Sequence, residues 1–361
     1  MKNTPLHAQH IELGARMGEF GGWDMPIQYA GILQEHEQTR SKASVFDICH
    51  MGEFELSGST ALADLERLLT CNIASLAVGQ VRYGFMLNES GGVIDDLTCY
   101  RLEDERFMLV VNAGTAEKDA AWIQQHLSAE TQFVDRSNEL AKLDVQGPLS
   151  RAVLESVFEI TLPELGYFKA APLTVLGCEI LLSRTGYTGE WGYEIYLPTS
   201  EAVSFWNRFV AHSDCEPGGL GARDTLRLEM GYSLYGHELS EDRTPFATSR
   251  GMFIRFEKDF IGKATVEADR SAPSALLVGL LFDSKRAARA HDLVFFEGQE
   301  VGEVTSGSVA PSLGKAVALA FVSPICAELG QTVHVQIRNK PFEATVVELP
   351  FYKDGTARGV K

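Results

Sequence analysis

Apolar residues recur along this chain with two periods, and each period predicts its own kind of element. Helical spacing runs through residues 60–70 (Leu62, Leu65, Leu68, Leu69) and through residues 115–127, which open at Thr115 as an N-cap. It returns over residues 200–211, where Ala202, Val203, Phe205, Trp206, Phe209 and Val210 share one side. Gly147-Pro148 predicts a fourth helix with proline at its first position. Around Phe85-Met86-Leu87-Asn88-Glu89-Ser90-Gly91-Gly92-Val93-Ile94, by contrast, two apolar runs flank a polar, glycine-containing loop, which predicts a β-hairpin. Helices and hairpins intermingle without a regular βαβ period, so the expected class is α+β.

The pattern changes near residue 272. Residues 267–274 are polar, small and interrupted by Pro273, which makes them the best linker candidate. Beyond them, residues 278–282, 293–296, 301–305, 316–322, 333–337 and 344–349 are short β-type runs separated by turn residues. They predict a small antiparallel barrel or sandwich over residues 273–361, attached to a larger region of residues 1–272.

Composition narrows the function classes. A chain of 361 residues favours two or three domains. The formal net charge of −17 disfavours duplex nucleic acid and anionic membranes as partners while leaving room for a local basic patch. Six widely spaced cysteines, with no C-x-x-C pair, read as reduced thiols rather than a disulfide framework or a zinc site. No apolar leader follows Met1 and no run reaches membrane length, so the expected location is cytoplasmic. Gly186-Tyr187-Thr188-Gly189-Glu190-Trp191-Gly192 has the wrong spacing for a dinucleotide fingerprint and leads into a strand. Gly307 followed by Gly314-Lys315-Ala316 has six residues between its glycines and no magnesium-binding hydroxyl. Nucleotide and metal cofactors are therefore not expected.

Three clusters remain as candidate chemistry. If the hairpin loop is 88–91, Leu87 faces Gly92 and Tyr83 faces Asp96, while Ile94, Asp96, Thr98 and Tyr100 share one face of the outgoing strand. Asp95-Asp96 is then either a solvated strand end or a carboxylate bracketed by two phenols and directed at a ligand. The next strand, 107–111, ends at Asn112, just before a helix. In the second cluster, Ser183 to Glu194, three glycines allow backbone to approach a flat ligand. Tyr187 is available to stack on it and Glu194 to accept from paired N–H donors. In the third, Gly218-Gly219-Leu220-Gly221 opens a helix carrying Arg223 and Arg227 one turn apart. These either receive an anion at the helix N-terminus or pair internally with Asp224 or Glu229.

In order, Gly21-Gly22-Trp23-Asp24-Met25-Pro26, His50-Met51-Gly52-Glu53-Phe54, residues 88–97, Asn112-Ala113, residues 183–190, residues 219–229, Lys258-Asp259-Phe260-Ile261-Gly262-Lys263 and Leu313-Gly314-Lys315 closely resemble the T-protein family of the glycine cleavage system, the aminomethyltransferases, over nearly the whole chain. The resemblance implies three lobes around a folate channel, the last a small β-barrel. It implies transfer of a methylene group from an aminomethyl-loaded lipoyl arm of H protein to tetrahydrofolate, with release of ammonia. Asp96 matches the family's essential carboxylate. Met51, Tyr83, Tyr100, Asn112, Tyr187, Glu194, Arg223 and Tyr232 fall at folate-lining positions, with Arg358 reaching back from the tail. An aspartate with the ordinary pKa of about 3.9 is ionised at neutral pH and suited to stabilising developing positive charge.

Two departures stand out: Ala247-Thr248-Ser249-Arg250 where the family carries glutamate and a glycine-rich run, and Trp191 in place of an aspartate. A folate-dependent demethylase of a small methylated substrate is the alternative within the superfamily. A non-catalytic folate-binding accessory protein is the alternative outside it, but the reactive cysteine such proteins carry is absent from Glu229-Met230-Gly231-Tyr232-Ser233-Leu234-Tyr235-Gly236.

Overall fold

Alternating and periodic apolar positions set the order of elements in the computed structural model, which describes residues 1–248 and 250–359. The chain opens with α1 (His7–Glu12), the hairpin β1 (Arg16–Phe20) and β2 (Trp23–Gln28), α2 (Ile32–Ser41) and β3 (Ala43–Asp47). There follow β4 (Gly52–Ser57), α3 (Ala61–Leu68), β5 (Val81–Leu87), β6 (Val93–Glu103), β7 (Arg106–Val111), α4 (Ala116–Gln125) and β8 (Gln132–Asp135). Next come β9 (Leu140–Gln146), α5 (Ser150–Phe158), β10 (Ala170–Val175), β11 (Cys178–Ser183), β12 (Gly192–Pro198), α6 (Ala202–Val210), β13 (Cys215–Gly218), α7 (Leu220–Glu229) and α8 (Lys263–Ser271). The last third holds β14 (Leu276–Phe282), β15 (Leu293–Phe296), β16 (Gln299–Ala310), β17 (Lys315–Val322), β18 (Thr332–Ile337) and β19 (Lys340–Val347).

These strands form two larger sheets and a barrel. One sheet runs β5-β6-β7-β4-β8, and α3 and α4 cover it with Leu65 and Ile123 packed on Phe54, Leu97 and Leu109. The other runs β10-β11-β12-β9-β3-β13, with only β13 and β3 parallel. Against it α5 and α6 bury Val153, Phe158, Phe205 and Trp206. The two sheets are interleaved in sequence: β3 lies in the second, β4 to β8 build the first, and β9 returns to pair with β3 through Val45↔Val145. The barrel closes in the order β14-β17-β16-β15-β18-β19, its interior filled by small and branched residues such as Ala316, Ala318, Ala320, Val333 and Val346. The expected α+β class is present, and of the barrel and the sandwich that the pattern allowed for the C-terminal runs the structure has the barrel.

Four local expectations are corrected. Pro148 lies two residues ahead of α5, in the turn that Ser150 N–H closes onto the Gly147 carbonyl, so it is not the first helical residue. Thr115 does precede α4, but its hydroxyl donates to the Asn112 carbonyl (3.1 Å) and caps nothing. Residues 267–271 are not linker: they finish α8, which Val266 anchors in the core, leaving 272–275 as the connection. The hairpin register is also different. Leu87 pairs with Val93 and Met86 with Asp95, which makes Ile94 the extra residue of a bulge. Tyr83 therefore faces Thr98 rather than Asp96, and Ile94 joins Leu97 and Cys99 in the core instead of sharing the face of Asp96. The loop closes through Gly92, where an added Cβ would sit 1.6 Å from the Glu241 carbonyl oxygen, so this position accepts only glycine. Among the described residues no helix is long and apolar enough to cross a membrane, and all six cysteines are free and buried.

Candidate functional site

The register error left the face of Asp96 intact. A slip of two residues preserves the side on which a side chain points, so Tyr83 still reaches diagonally across the ladder and its hydroxyl donates to Asp96 Oδ2 at 2.9 Å. Asn112, at the end of β7, donates from Nδ2 to Asp96 Oδ1 (2.9 Å) and to Asp95 Oδ1 (2.8 Å), while its backbone N–H donates to Asp95 Oδ2 (2.9 Å). Asp95 is wholly buried, whereas Asp96 keeps part of its surface open to solvent. Burial first, and then the neighbouring Asp95, push Asp96 up to about 7, with the Tyr83 and Asn112 hydrogen bonds pulling the other way. The ordinary aspartate value taken from the sequence does not hold at this position.

The second sheet carries a polar cluster of its own, reached from the first through Tyr100. Glu194, on β12, accepts from Thr185 Oγ1 (2.6 Å), Tyr100 Oη (3.2 Å) and Tyr196 Oη (3.3 Å), all through Oε2. Its Oε1 faces only the Lys142 ammonium, at 3.7 Å. Burial alone would raise Glu194, but Lys142, the Thr185 hydroxyl and Arg223 outweigh it and leave the group below the ordinary carboxylate range. Gly186 and Tyr187 continue the loop. A Cβ at Gly186 would lie 2.2 Å from the Gln146 amide oxygen. The ring of Tyr187 stacks on Tyr232 (5.7 Å, 28°) and its hydroxyl donates to the Ser233 carbonyl.

The two arginines of α7 diverge although they are one turn apart. Arg223 pairs with Asp144 at 2.5 Å and lies over the Tyr187 ring (5.1 Å). Arg227 turns away to Asp224, Glu238 and the Ser306 hydroxyl of the barrel, so for it the internal ion pair is correct. No anion is needed at the helix N-terminus, because Glu35 of α2 accepts from the Gly219 N–H at 2.8 Å.

Met51, Tyr83, Asp96, Asn112, Tyr187, Arg223 and Tyr232 are all half-buried: hydrogen bonds join Tyr83, Asp96 and Asn112, ring contacts join Arg223, Tyr187 and Tyr232, and the Asp96 charge acts on Tyr187 between the two groups. Tyr100 is enclosed behind them and binds Glu194. Arg358 is exposed on the tail beside Tyr167, and the tail itself returns to the loop: Ala357 N–H donates to the Gly189 carbonyl and Thr356 Oγ1 to Glu190. Trp191 is buried in the core with the Arg184 guanidinium 3.4 Å from its ring centre. Ala247 packs between α7 and the barrel, Arg250 sits over Tyr232 (5.9 Å), and Ser249 lies outside the described residues.

Sequence reasoning missed the floor of the site. On β9, Lys142, Asp144 and Gln146 alternate with the core residues Ala141, Leu143 and Val145, a pattern that reads as a half-solvated strand. All three are instead buried, and in register they face Tyr196, Glu194 and Gly192. Beside them Glu53 is 1% exposed with its Oε1 unpartnered, and burial raises it to about 8. The detectable signal was an acid, a base and an amide on one strand face matched to a tyrosine and a glutamate on its partner.

Comparison with known proteins gives matches over nearly the whole chain. The family described as GCVT N-terminal domain matches residues 6–258, and the one described as glycine cleavage T-protein C-terminal barrel domain matches residues 276–353. Proteins named aminomethyltransferase from Desulfitobacterium hafniense and Herpetosiphon aurantiacus are each 43% identical, over 98% of this chain and 98% and 99% of their own. The crystal structure of glycine cleavage system aminomethyltransferase T from Bartonella henselae superposes with a TM-score of 0.93 at 35% identity, covering 98% of this chain and 99% of that one.

Proposed function

Since this chain belongs to the glycine cleavage T-protein family, we propose that the convergence of half-buried side chains around Asp96 is its tetrahydrofolate site, with Asp96 as the catalytic carboxylate. The enzyme is an aminomethyltransferase of the glycine cleavage system. Its donor in this reading is the aminomethyl group on the lipoyl arm of H protein, and it works in the cytoplasm. Residues 1–272 form the catalytic region and residues 273–361 the barrel domain. The observation that carries the site reading is a carboxylate held by Tyr83 and Asn112 that stays half open to solvent although its neighbour Asp95 is wholly buried.

The lining fits a reduced pterin. Tetrahydrofolate supplies the two nitrogens that take up the methylene carbon, and their hydrogens leave with ammonia and the lipoyl thiol. Glu194 Oε1, free of hydroxyl donors and kept ionised by Lys142, accepts from the amino and ring N–H edge. Tyr187 and Tyr232 wall the ring face, Tyr100 and Met51 close the inner end, and Arg223 and Arg358 receive the polar and acidic portions of the ligand. Asp96, ionised, orients the folate amine and opposes the positive charge that grows as the carbon–sulfur bond breaks. Nothing in the fold favours a demethylase or an accessory role.

The test is ammonia and methylene-tetrahydrofolate production by the purified chain with aminomethyl-loaded H protein and tetrahydrofolate. Asp96→Asn is expected to lower kcat by about 100-fold or more. Folate binding without any turnover would overturn the reading.

A further inference from the structure

The C-terminal tail is held against the site wall by a buried cation that the transfer reaction does not use. Tyr352 N–H donates to the Glu229 carbonyl (3.0 Å), and residues 355–357 then run against the loop that follows Tyr187. Thr356 Oγ1 accepts from Trp191 N–H (2.8 Å) and donates to Glu190 Oε2 (2.6 Å), while Ala357 N–H donates to the Gly189 carbonyl (3.0 Å). The approach is close: a Cβ at Gly355 would lie 2.7 Å from the Gly189 carbonyl oxygen. At the end of this contact stands Arg184, 3% exposed. Its Nη2 donates to the carbonyls of Ala357 (2.8 Å) and Gly359 (3.3 Å), the residues on either side of Arg358.

A buried guanidinium ordinarily rests on a carboxylate. Among the described residues Arg184 forms no ion pair, and its Nε has no partner. What faces it is aromatic: the Trp191 ring centre is 3.4 Å away and the Tyr167 ring centre 5.7 Å. An indole is the best of the aromatic faces for a cation, the more so out of water. Trp191 is itself fixed, its Nε1–H donating to Tyr193 Oη (3.0 Å) and its carbonyl accepting from Gly147 N–H (2.8 Å) and Ser150 Oγ (2.9 Å). At the position where the family carries an aspartate, this chain therefore offers the cation a neutral ring. We propose that Arg184, stacked on Trp191, is a positioning residue for tetrahydrofolate: it fixes the backbone on both sides of Arg358 and so presents that exposed guanidinium to the acidic portion of the ligand. The role rests on Arg358 being a ligand contact, as read above. With both flanking carbonyls held, Arg358 has only its side-chain freedom left to lose on binding. The effect falls on affinity and leaves the chemistry at Asp96 alone.

Steady-state transfer by the full chain, with aminomethyl-loaded H protein and varied tetrahydrofolate, tests the proposal. Arg184→Gln is expected to raise KM for tetrahydrofolate about fivefold while kcat stays within about twofold of the wild type. Arg358→Ala is expected to raise KM at least as much. In the double variant the two rises do not multiply: KM stays within about twofold of Arg358→Ala alone, because Arg184 acts through that residue. A merely loosened fold would not give this pattern, since it lowers the active fraction, and kcat with it, whether or not Arg358 is present. An unchanged KM in Arg184→Gln would overturn the proposal, as would a fall in kcat at constant KM or a double variant showing the product of the two single effects. Should Arg184→Gln not fold, Trp191→Phe decides, since it keeps a weaker ring under the guanidinium. A KM raised about twofold with Arg358 present, and not raised further in Arg358→Ala, supports the role; an unchanged KM in both refutes it. An Arg358→Ala enzyme with the wild-type KM would overturn the proposal through the ligand contact it rests on, and the separate Asp96→Asn measurement would show whether the site at Asp96 stands.

Discussion

At the scale of single residues, the site is governed by charges taken out of water. Asp96 is raised to about 7, so its ionised fraction falls as pH drops. The rate of transfer is expected to decline about tenfold per unit on the acid side of neutrality, which a pH series of kcat checks. Glu53 works in the opposite sense, on stability. Burial raises it from 4.5 to about 8, so the folded chain holds the proton that the unfolded chain releases. Its contribution is fully present below the unfolded pKa and is lost as pH rises toward 8. Glu53→Gln should leave Tm unchanged near about pH 4 and raise it by several degrees, about 3 or more, near pH 8 by calorimetry. Lys142 is the cation that holds Glu194 ionised. Lys142→Met should raise KM for tetrahydrofolate about tenfold or more with a smaller change in kcat, and Lys142→Arg should recover part of the loss. Asp96, Tyr83 and Asn112 were legible in the sequence because local alternation and a strand end fix their side. Lys142 and Glu53 were not: a charged residue in an alternating strand looks solvated until a second sheet is known to cover it.

Elements explain which errors mattered. The hairpin loop was placed one residue short and the bulge at Ile94 was invisible, and the two offsets together kept Asp96 on the correct face. The bulge depends on the close fit of Gly92 against the Glu241 carbonyl. Gly92→Ala should therefore displace the loop, weaken the Tyr83 to Asp96 contact, and reduce kcat about tenfold together with a lower Tm, both read on the same preparation. The glycine loop before α7 shows the limit of local reasoning. Its exposed N–H groups suit an anion, but the anion is Glu35, some 180 residues earlier in the chain. All six barrel strands were readable as apolar runs bounded by turn residues, but β16 runs on from 305 to Ala310 and β19 begins four residues before the expected run.

Over the whole molecule, distant segments converge on the site. Arg227 ties α7 to the barrel through Ser306, and the tail ties the C-terminal segment to the Gly189 loop through Thr356 and Ala357. Removing residues 353–361 should leave the closed barrel folded, as judged by circular dichroism, while raising KM for tetrahydrofolate severalfold, about 3-fold or more. Of these long ties only the return of the tail was anticipated, through the family resemblance and not through local pattern, since nothing in a strand's own pattern says which distant segment will lie beside it. The placement of β3 has the largest reach of them. Val45 pairs with Val145 on one side and with Pro217 on the other, so the central strand of the second sheet waits for two partners far along the chain, while the first sheet must be threaded out of the gap between them. Such non-local pairing makes for slow refolding from denaturant, with the first sheet regaining its hydrogen-exchange protection before the second. It also means that the second sheet cannot be cut out as one uninterrupted fragment, whereas the strands of the first are continuous in sequence from β4 to β8.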